Sequence, residues 1–396
     1  MAPADETDVV AVIASGNVLA SAARDCWDED RAILPVNPAF TPDEVTTLLA
    51  RLRPTHIVQG SGAAERNPDG IAAPAGTAAI VVTSGTEGLP KGVELTRTGM
   101  EVMGRGYSAG LDAGPADRWL ACLPLHHVAS LGALARSYVT GVPATVHDRL
   151  DLELVARSPR DEGTTIVSLV PTVMKRLLDA GAPLHEFRRV ITGGAPCPPA
   201  LRARAEDAGV HVVDAYGLSE TWGGFALDGI AISDAQVRVA DAGPDGEILV
   251  RGPMVMRAYR LDPERTTAAL DPQGWFRTGD AGTIEAGRIR VVDRLKDVVI
   301  TGGVNVSPTE VEAVLARHPA VADACVVGTP DDEWGEIVTA FVVPRPGASA
   351  PSLEELRAFG RDALSGPKLP RAAHVVDTIP RTASGKPLRR LLRDAP

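Results

Sequence analysis

AAIVVTSGTEGLPKGV, residues 78–93, sets an apolar run directly against a loop of glycines, hydroxyls and a single lysine. Ala78 to Val82 has the short, uninterrupted apolar character of a buried strand. The following stretch, Thr83 to Val93, carries Gly85, Gly88 and Gly92, the hydroxyls of Thr83, Ser84 and Thr86, and Lys91. Backbone N–H groups in such a loop, joined by hydroxyls and an ammonium, can surround a polyphosphate. A loop leaving a sheet edge in this way stands where ligands commonly bind in α/β proteins. The expected ligand is a nucleotide. A Walker loop is excluded, because Pro90 stands where its second glycine belongs and Lys91 is followed by Gly92 instead of Ser or Thr.

The chain has 396 residues with 44% hydrophobic content, enough for two or three globular domains with an ample core. Its net charge of −11 leaves no basic stripe to neutralise a phosphate backbone, so nucleic acid is not an expected partner. The one tight arginine cluster, Arg389, Arg390 and Arg393, reads as a solvated helix face. Cys26, Cys122, Cys197 and Cys325 are scattered without metal-ligand spacing, which fits a reducing cytosol. No apolar run approaches the length of a membrane span and the acidic N-terminus lacks a basic n-region, so neither insertion nor secretion is expected.

Strand and helix patterns alternate in the manner of an α/β protein. Thr41, Pro42 and Glu44 form a capping box ahead of Val45, Leu48, Leu49 and Leu52, which recur on one helical face. Apolar runs end in glycine-rich or polar turns at Val190 to Thr192, before Gly193-Gly194, and at Val212 to Asp214, before Tyr216-Gly217. Past residue 293 the texture changes. Ser307, Pro308 and Glu310 cap a helix through Leu315, Val321 to Val327 and Ile337 to Val343 read as strands, and Ser352 with Glu355 caps a further helix. The expected domains are therefore residues 1–293 and a small α+β domain over 294–396.

Other polar groups come in separated motifs. In DAYGLSETWGG, residues 214–224, Tyr216 offers a flat face for a base, Ser219 a hydroxyl and Glu220 a carboxylate able to hold Mg²⁺; equally, the segment reads as a turn with a buried tyrosine. In GWFRTGDAG, Asp280 either accepts both hydroxyls of a ribose or closes an Asx turn. Arg294 and Lys296, ahead of the Gly302-Gly303 turn, read alone as a surface charge cluster. Lys386, in RTASGKPLRR, reads alone as a solvated lysine.

In this order and spacing the motifs resemble the adenylate-forming superfamily of acyl-CoA ligases, luciferases and peptide-synthetase adenylation domains. The resemblance runs from about Ala78 to Arg390. It implies a large α/β N-terminal domain of layered sheets and helices, joined at about Arg294 to Lys296 to a small mobile α+β C-terminal domain. It also implies ATP, Mg²⁺ and CoA as cofactors and a carboxylic acid as substrate. Carried onto matching positions, the resemblance puts Thr83, Ser84, Gly85, Thr86, Gly88 and Lys91 on the ATP phosphates. It puts Asp214, Tyr216, Gly217 and Ser219 about the nucleotide, with Tyr216 on adenine, and Asp280 and Arg294 on the ribose. Glu220 then holds Mg²⁺, and Lys386 bridges the acyl carboxylate and the α-phosphate. Lys296 matches the hinge, and Gly302-Gly303 the stretch beside the pantetheine tunnel.

Two departures from that pattern stand out. The phosphate loop carries Glu87 where Thr is usual, and only 82 residues precede Thr83, fewer than in many relatives. The shortened form resembles actinobacterial o-succinylbenzoate-CoA ligases of menaquinone synthesis, above all in LPLHHVASLGALARSYVTG, where His127 matches the gate residue beside the acyl site. Gly193, Gly194, Ser130, Arg136 and Trp222 are the further residues expected to border the acid. Arg136 either pairs with a second carboxylate of the substrate or forms a structural ion pair. Ser130 and Trp222 also suit a different aryl or short acyl acid, passed to CoA or to a carrier protein, and a nucleotide-binding relative without catalysis is the third reading. Similar ligases are commonly dimers.

Overall fold

The computed structural model describes residues 5–84, 90–240, 246–381 and 387–393, with Ser84 described by its backbone alone. Gly85, Thr86, Glu87, Gly88 and Lys386 lie outside the described residues. The chain forms two compact units, one of residues 1–237 and 249–277, the other of residues 238–248 and 278–396.

The first unit contains two seven-stranded sheets. In one, Thr77–Ser84 lies between Ala32–Val36, its parallel neighbour, and Pro90–Thr96, with which it forms an antiparallel hairpin. The apolar run read from sequence is therefore an interior strand, buried from Ala78 to Val81. Hairpin register sets Thr83 opposite Lys91, so the two described ends of the glycine loop are fixed side by side. Helix Pro42–Leu52 covers this sheet through Leu48 and Leu52. Its capping box is complete: Thr41 Oγ1 accepts from Glu44 N–H at 3.3 Å, and Glu44 Oε2 accepts from Thr41 N–H at 2.7 Å.

The other sheet runs in parallel through Ala144–Val146, Trp119–Ala121, Ile166–Leu169, Arg189–Gly193 and Val212–Tyr216, then turns antiparallel at Ala226–Leu227. Parallel strands buried on both faces need continuous apolar runs, and Val167, Leu169, Val190 and Val212 supply them to a core shared with Met174, Leu177 and Ala205. Gly193-Gly194 and Tyr216-Gly217 thus leave the carboxyl ends of neighbouring strands, the place where a ligand can reach loop backbone.

A buried ion pair ties the short strand Ala258–Tyr259 to the first sheet. Arg260 donates to Glu94 Oε1 at 3.0 Å and to the carbonyls of Leu52 at 2.6 Å, Arg53 at 3.2 Å and Ile71, with only 1% of its side chain exposed. Removing one partner of such a pair strands the other charge in the interior. Glu94→Ala should therefore destabilise the protein by about 3–5 kcal/mol, read as a lowered urea midpoint.

The second unit carries a five-stranded sheet in which Val321–Asp331 and Gly335–Pro344 form a long antiparallel pair. Helix Pro308–Leu315, capped by Ser307, packs Val311, Val314 and Leu315 against Val326, Val338 and Ala340. Helix Leu353–Gly360 begins at the expected Ser352–Glu355 capping box. Besides residues 238–248, this unit takes in the chain from Thr278 onward, ahead of the Arg294 boundary expected from sequence; the strands Phe276–Glu285 and Arg288–Arg294 form an antiparallel hairpin across that boundary. Gly302 and Gly303, both at positive φ (56° and 79°), make the two-residue turn between Val299–Thr301 and Val304–Val306. A hairpin turn with two left-handed residues is the setting that selects a Gly-Gly pair.

Candidate active site

In the first unit, Lys91, Glu220 and Tyr259 meet. Lys91 Nζ donates to Glu220 Oε1 at 2.8 Å and to Tyr259 Oη at 2.9 Å, and Tyr259 Oη donates to the same Glu220 oxygen at 2.8 Å. The ammonium also lies 4.2 Å from the Tyr259 ring centroid. Burial alone would raise the Glu220 carboxyl; the charge and hydrogen bond of Lys91, joined by the Tyr259 hydroxyl, outweigh it and hold the group below the ordinary glutamate range. Strand pairing builds the cluster. Tyr259 lies opposite Val93, two residues from Lys91, and Met256 N–H binds the Glu220 carbonyl at 2.7 Å.

Thr83, opposite Lys91, has a buried hydroxyl oxygen with no hydrogen-bond partner among the described residues. A buried polar group of that kind costs stability unless something binds it, and a phosphate oxygen would. An ionised carboxylate next to phosphate-binding groups also has the chemistry Mg²⁺ requires, since that ion is held through one or two carboxylates and substrate phosphates.

Asp214 and Tyr216 lie on the strand Val212–Tyr216. Arg202 pairs with Asp214, and Asp228 Oδ1 accepts from Asp214 N–H at 3.0 Å. Burial nevertheless raises the Asp214 carboxyl above its usual value, with Arg202 opposing. Tyr216 packs edge-on to Phe225 at 4.8 Å between ring centroids. Ser219 and Glu220 form a single 3-10 turn with Thr221, ended by Trp222 at φ 54°. A Cβ on Gly224 would collide with Tyr107 Oη, and one on Gly217 with the Gly224 backbone, so this loop closes only without side chains there.

Next to these strands a cleft opens, walled by Leu123, Val128, Val170 and Ile191, with Gly193 and Gly194 contributing backbone. Its charged lining residue is Arg136. The guanidinium is buried, lies 4.5 Å from the Tyr107 ring centroid and 4.7 Å from that of Trp119, and donates to Met103 Sδ at 3.9 Å. Among the described residues its Nε has no hydrogen-bond partner and no carboxylate pairs with the guanidinium. Burial lowers its pKa to about 10, so it stays charged at neutral pH.

Several expected site residues sit differently. Trp222 is fully buried, its indole N–H donating to the Thr96 carbonyl at 3.0 Å, so Gly223 and not Trp222 borders the cleft. The left-handed backbone at Trp222 turns its side chain into the core behind the loop. Ser130 is likewise buried on helix Val128–Thr140 and is not part of the lining. His127 is the residue before that helix, its ring 4.4 Å from His126. Burial, reinforced by His127, lowers His126 to about 4. Tyr259, Tyr107 and Trp119 carry no local sequence signal; only strand and helix packing brings them against Lys91 and Arg136.

In the second unit, Asp280 and Arg294 occupy opposite positions in the hairpin and pair at 2.8 Å. The Asp280 side chain is nearly buried, whereas Arg294 is 40% exposed and also donates to the Thr278 carbonyl at 3.2 Å. Lys296 is exposed. Among the described residues there is no cluster of three metal-ligating side chains, and no helix long and apolar enough to cross a membrane.

Residues 59–260 match the AMP-binding enzyme family, and residues 310–386 match the AMP-binding enzyme C-terminal domain. The chain belongs to the AMP-binding enzymes, as a ligase of the AMP-forming acid–CoA class. A 2-succinylbenzoate–CoA ligase of Bacillus velezensis is 34% identical over 93% of this chain and 78% of its own length. That of Bacillus licheniformis is 36% identical over 80% of this chain and 69% of its own. Among solved structures, the o-succinylbenzoate CoA synthetase of Bacillus subtilis in complex with the acyl-adenylate OSB-AMP superposes with a TM-score of 0.86, at 28% identity, over 99% of this chain and 89% of that one. ATP-bound MatB from Rhodopseudomonas palustris gives a TM-score of 0.88 at 25% identity, with the same coverage.

Proposed function

We propose that this enzyme activates 2-succinylbenzoate, or an aryl acid like it bearing a second carboxylate, and transfers the acyl group to CoA. The observation that carries the reading is Arg136, a buried guanidinium in the cleft that, among the described residues, no carboxylate neutralises. A buried cation without a partner is costly, and a ligand carboxylate meets that cost. The relatives named as 2-succinylbenzoate–CoA ligases support the same acid.

In the first half-reaction a carboxylate oxygen attacks the α-phosphorus of ATP, the α–β anhydride bond breaks, and pyrophosphate leaves. Carboxylate and polyphosphate repel, so the chain must supply positive charge where they meet. Lys91, Thr83 and the glycine loop with Ser84, Gly85, Thr86 and Gly88 serve the phosphates, and Lys386 serves the carboxylate and α-phosphate. Glu220 would hold Mg²⁺, which supplies charge neutralisation on the phosphates. Tyr216 stacks on adenine, with Asp214, Gly217 and Ser219 around it, while Asp280, fixed by Arg294, accepts the ribose hydroxyls. The apolar walls of the cleft keep water from the mixed anhydride. In the second half-reaction the CoA sulfur attacks the acyl carbon, AMP leaves, and the thiol proton is lost. The resemblance to the adenylate-forming enzymes assigns the Gly302-Gly303 turn to the thiol's path and Arg294 to Lys296 to the hinge between the two half-reactions. His127 gates the acyl site. The four free cysteines are compatible with a cytosolic setting.

Pyrophosphate release measured across a panel of acids, with CoA or a carrier protein as acceptor, tests this reading. The dicarboxylate 2-succinylbenzoate should give the highest kcat/KM, with CoA as the productive acceptor. Equal use of simple aryl monocarboxylates, or acylation of carrier alone, would reject it.

A further inference from the structure

The Lys91–Glu220 pair poses a problem for a site that must hold ATP. Two of the three Lys91 ammonium donors are taken by Glu220 and Tyr259, so turning the group fully to the phosphates draws it from Glu220 and leaves a buried carboxylate short of its counter-charge. An uncompensated charge in the interior costs far more than an exposed one. The third member of the cluster, Tyr259, resolves this.

We infer that Tyr259 is the positioning residue that holds the Glu220 carboxylate when Lys91 is drawn away to the phosphates of ATP. Three observations carry this. The Tyr259 hydroxyl already donates to Glu220 Oε1 at 2.8 Å, the oxygen that Lys91 uses, so it needs no movement to take over. Its ring lies against the Lys91 ammonium, 4.2 Å from the centroid, giving the lysine an apolar and weakly attractive surface along which to swing. Its backbone is fixed. Tyr259 pairs opposite Val93, its N–H donates to Thr266 Oγ1 at 2.9 Å, and the neighbouring Arg260 N–H binds the Gly92 carbonyl at 2.8 Å. The hydroxyl is therefore held by the strand that bears Lys91, and it stays in place when the lysine side chain moves.

The inference rests on the reading of Lys91 as a phosphate ligand, and three nucleotide probes separate the two. AMP lacks the β- and γ-phosphates and does not call Lys91 away from Glu220. ATP in EDTA does so with no metal to replace the lysine charge. MgATP supplies a cation to Glu220 as Lys91 leaves. Calorimetric titration of Tyr259→Phe, which keeps the ring, should show AMP affinity within about twofold of the parent and ATP affinity in EDTA lowered about tenfold. MgATP affinity should fall by a smaller factor than ATP in EDTA. In a Glu220→Gln background, where no charge is left behind, adding Tyr259→Phe should cost ATP binding no more than about twofold. Equal weakening of AMP and ATP, an unchanged ATP affinity, or a full effect persisting beside Glu220→Gln would overturn the inference. Failure of the parent protein to bind ATP at all would instead reject the nucleotide site itself.

Discussion

Lys386→Ala is expected to lower acid-dependent pyrophosphate exchange by at least about 10²-fold, on the scale of losing one preorganised donor at a developing charge. The reason is electrostatic. During adenylation an anionic carboxylate meets an anionic α-phosphate, and the charge that offsets their repulsion has to be present at the transition state to lower the barrier. Thiolysis makes no such demand: the attacking sulfur meets a neutral acyl carbon and AMP leaves as a stabilised anion. Acyl transfer from a supplied acyl-adenylate to CoA should therefore proceed at close to the parent rate in the same variant. Near-normal exchange in Lys386→Ala would remove this lysine from the first half-reaction. Equal loss in both halves would point to general damage.

Arg136→Leu should reduce kcat/KM for 2-succinylbenzoate by about 10²–10³-fold, the range seen when one partner of a buried charge pair is removed. The same variant should change use of an aryl monocarboxylate by no more than a few-fold, since that acid never engages the guanidinium. Leu is chosen because it fills part of the space between Tyr107 and Trp119 and removes a buried cation, which is neutral or favourable for folding. Arg136→Lys should recover little, because an ammonium offers neither the planar face that packs on two rings nor the forked donors that match a carboxylate. The burial that lowers Arg136 to about 10 still leaves it protonated across neutral pH, so the preference for a dicarboxylate should be flat between about pH 6 and pH 8. Steady-state kinetics with paired mono- and dicarboxylates would decide the matter. A uniform loss across both acids would sink the assignment.

Much of this molecule was legible in one dimension where a local rule governs. The Thr41 and Ser352 capping boxes, the Ser307 cap and the strands at residues 78–82, 190–192 and 212–214 all form where their own sequences place them, give or take terminal residues. The boundary at Arg294 falls inside the second compact unit for a non-local reason, since the strands Phe276–Glu285 and Arg288–Arg294 pair with one another across it. Trp222 followed the same logic. A bulky residue in a ligand-facing loop looks like part of a pocket, but a left-handed backbone and the Thr96 carbonyl direct it into the core.

By itself the sequence determined the class of chemistry, because phosphate binding and acid activation need particular residue types in a particular order, and order is what a sequence records. Tertiary structure decided which of those residues touch. It set Lys91 on Glu220 and Tyr259, and it placed Arg136 as a buried cation that no carboxylate among the described residues pairs with. Residues 91, 220 and 259 are far apart along the chain, and they, like 107, 119 and 136, meet only through strand register and helix packing. The cost of burying a charge depends on its neighbours in space.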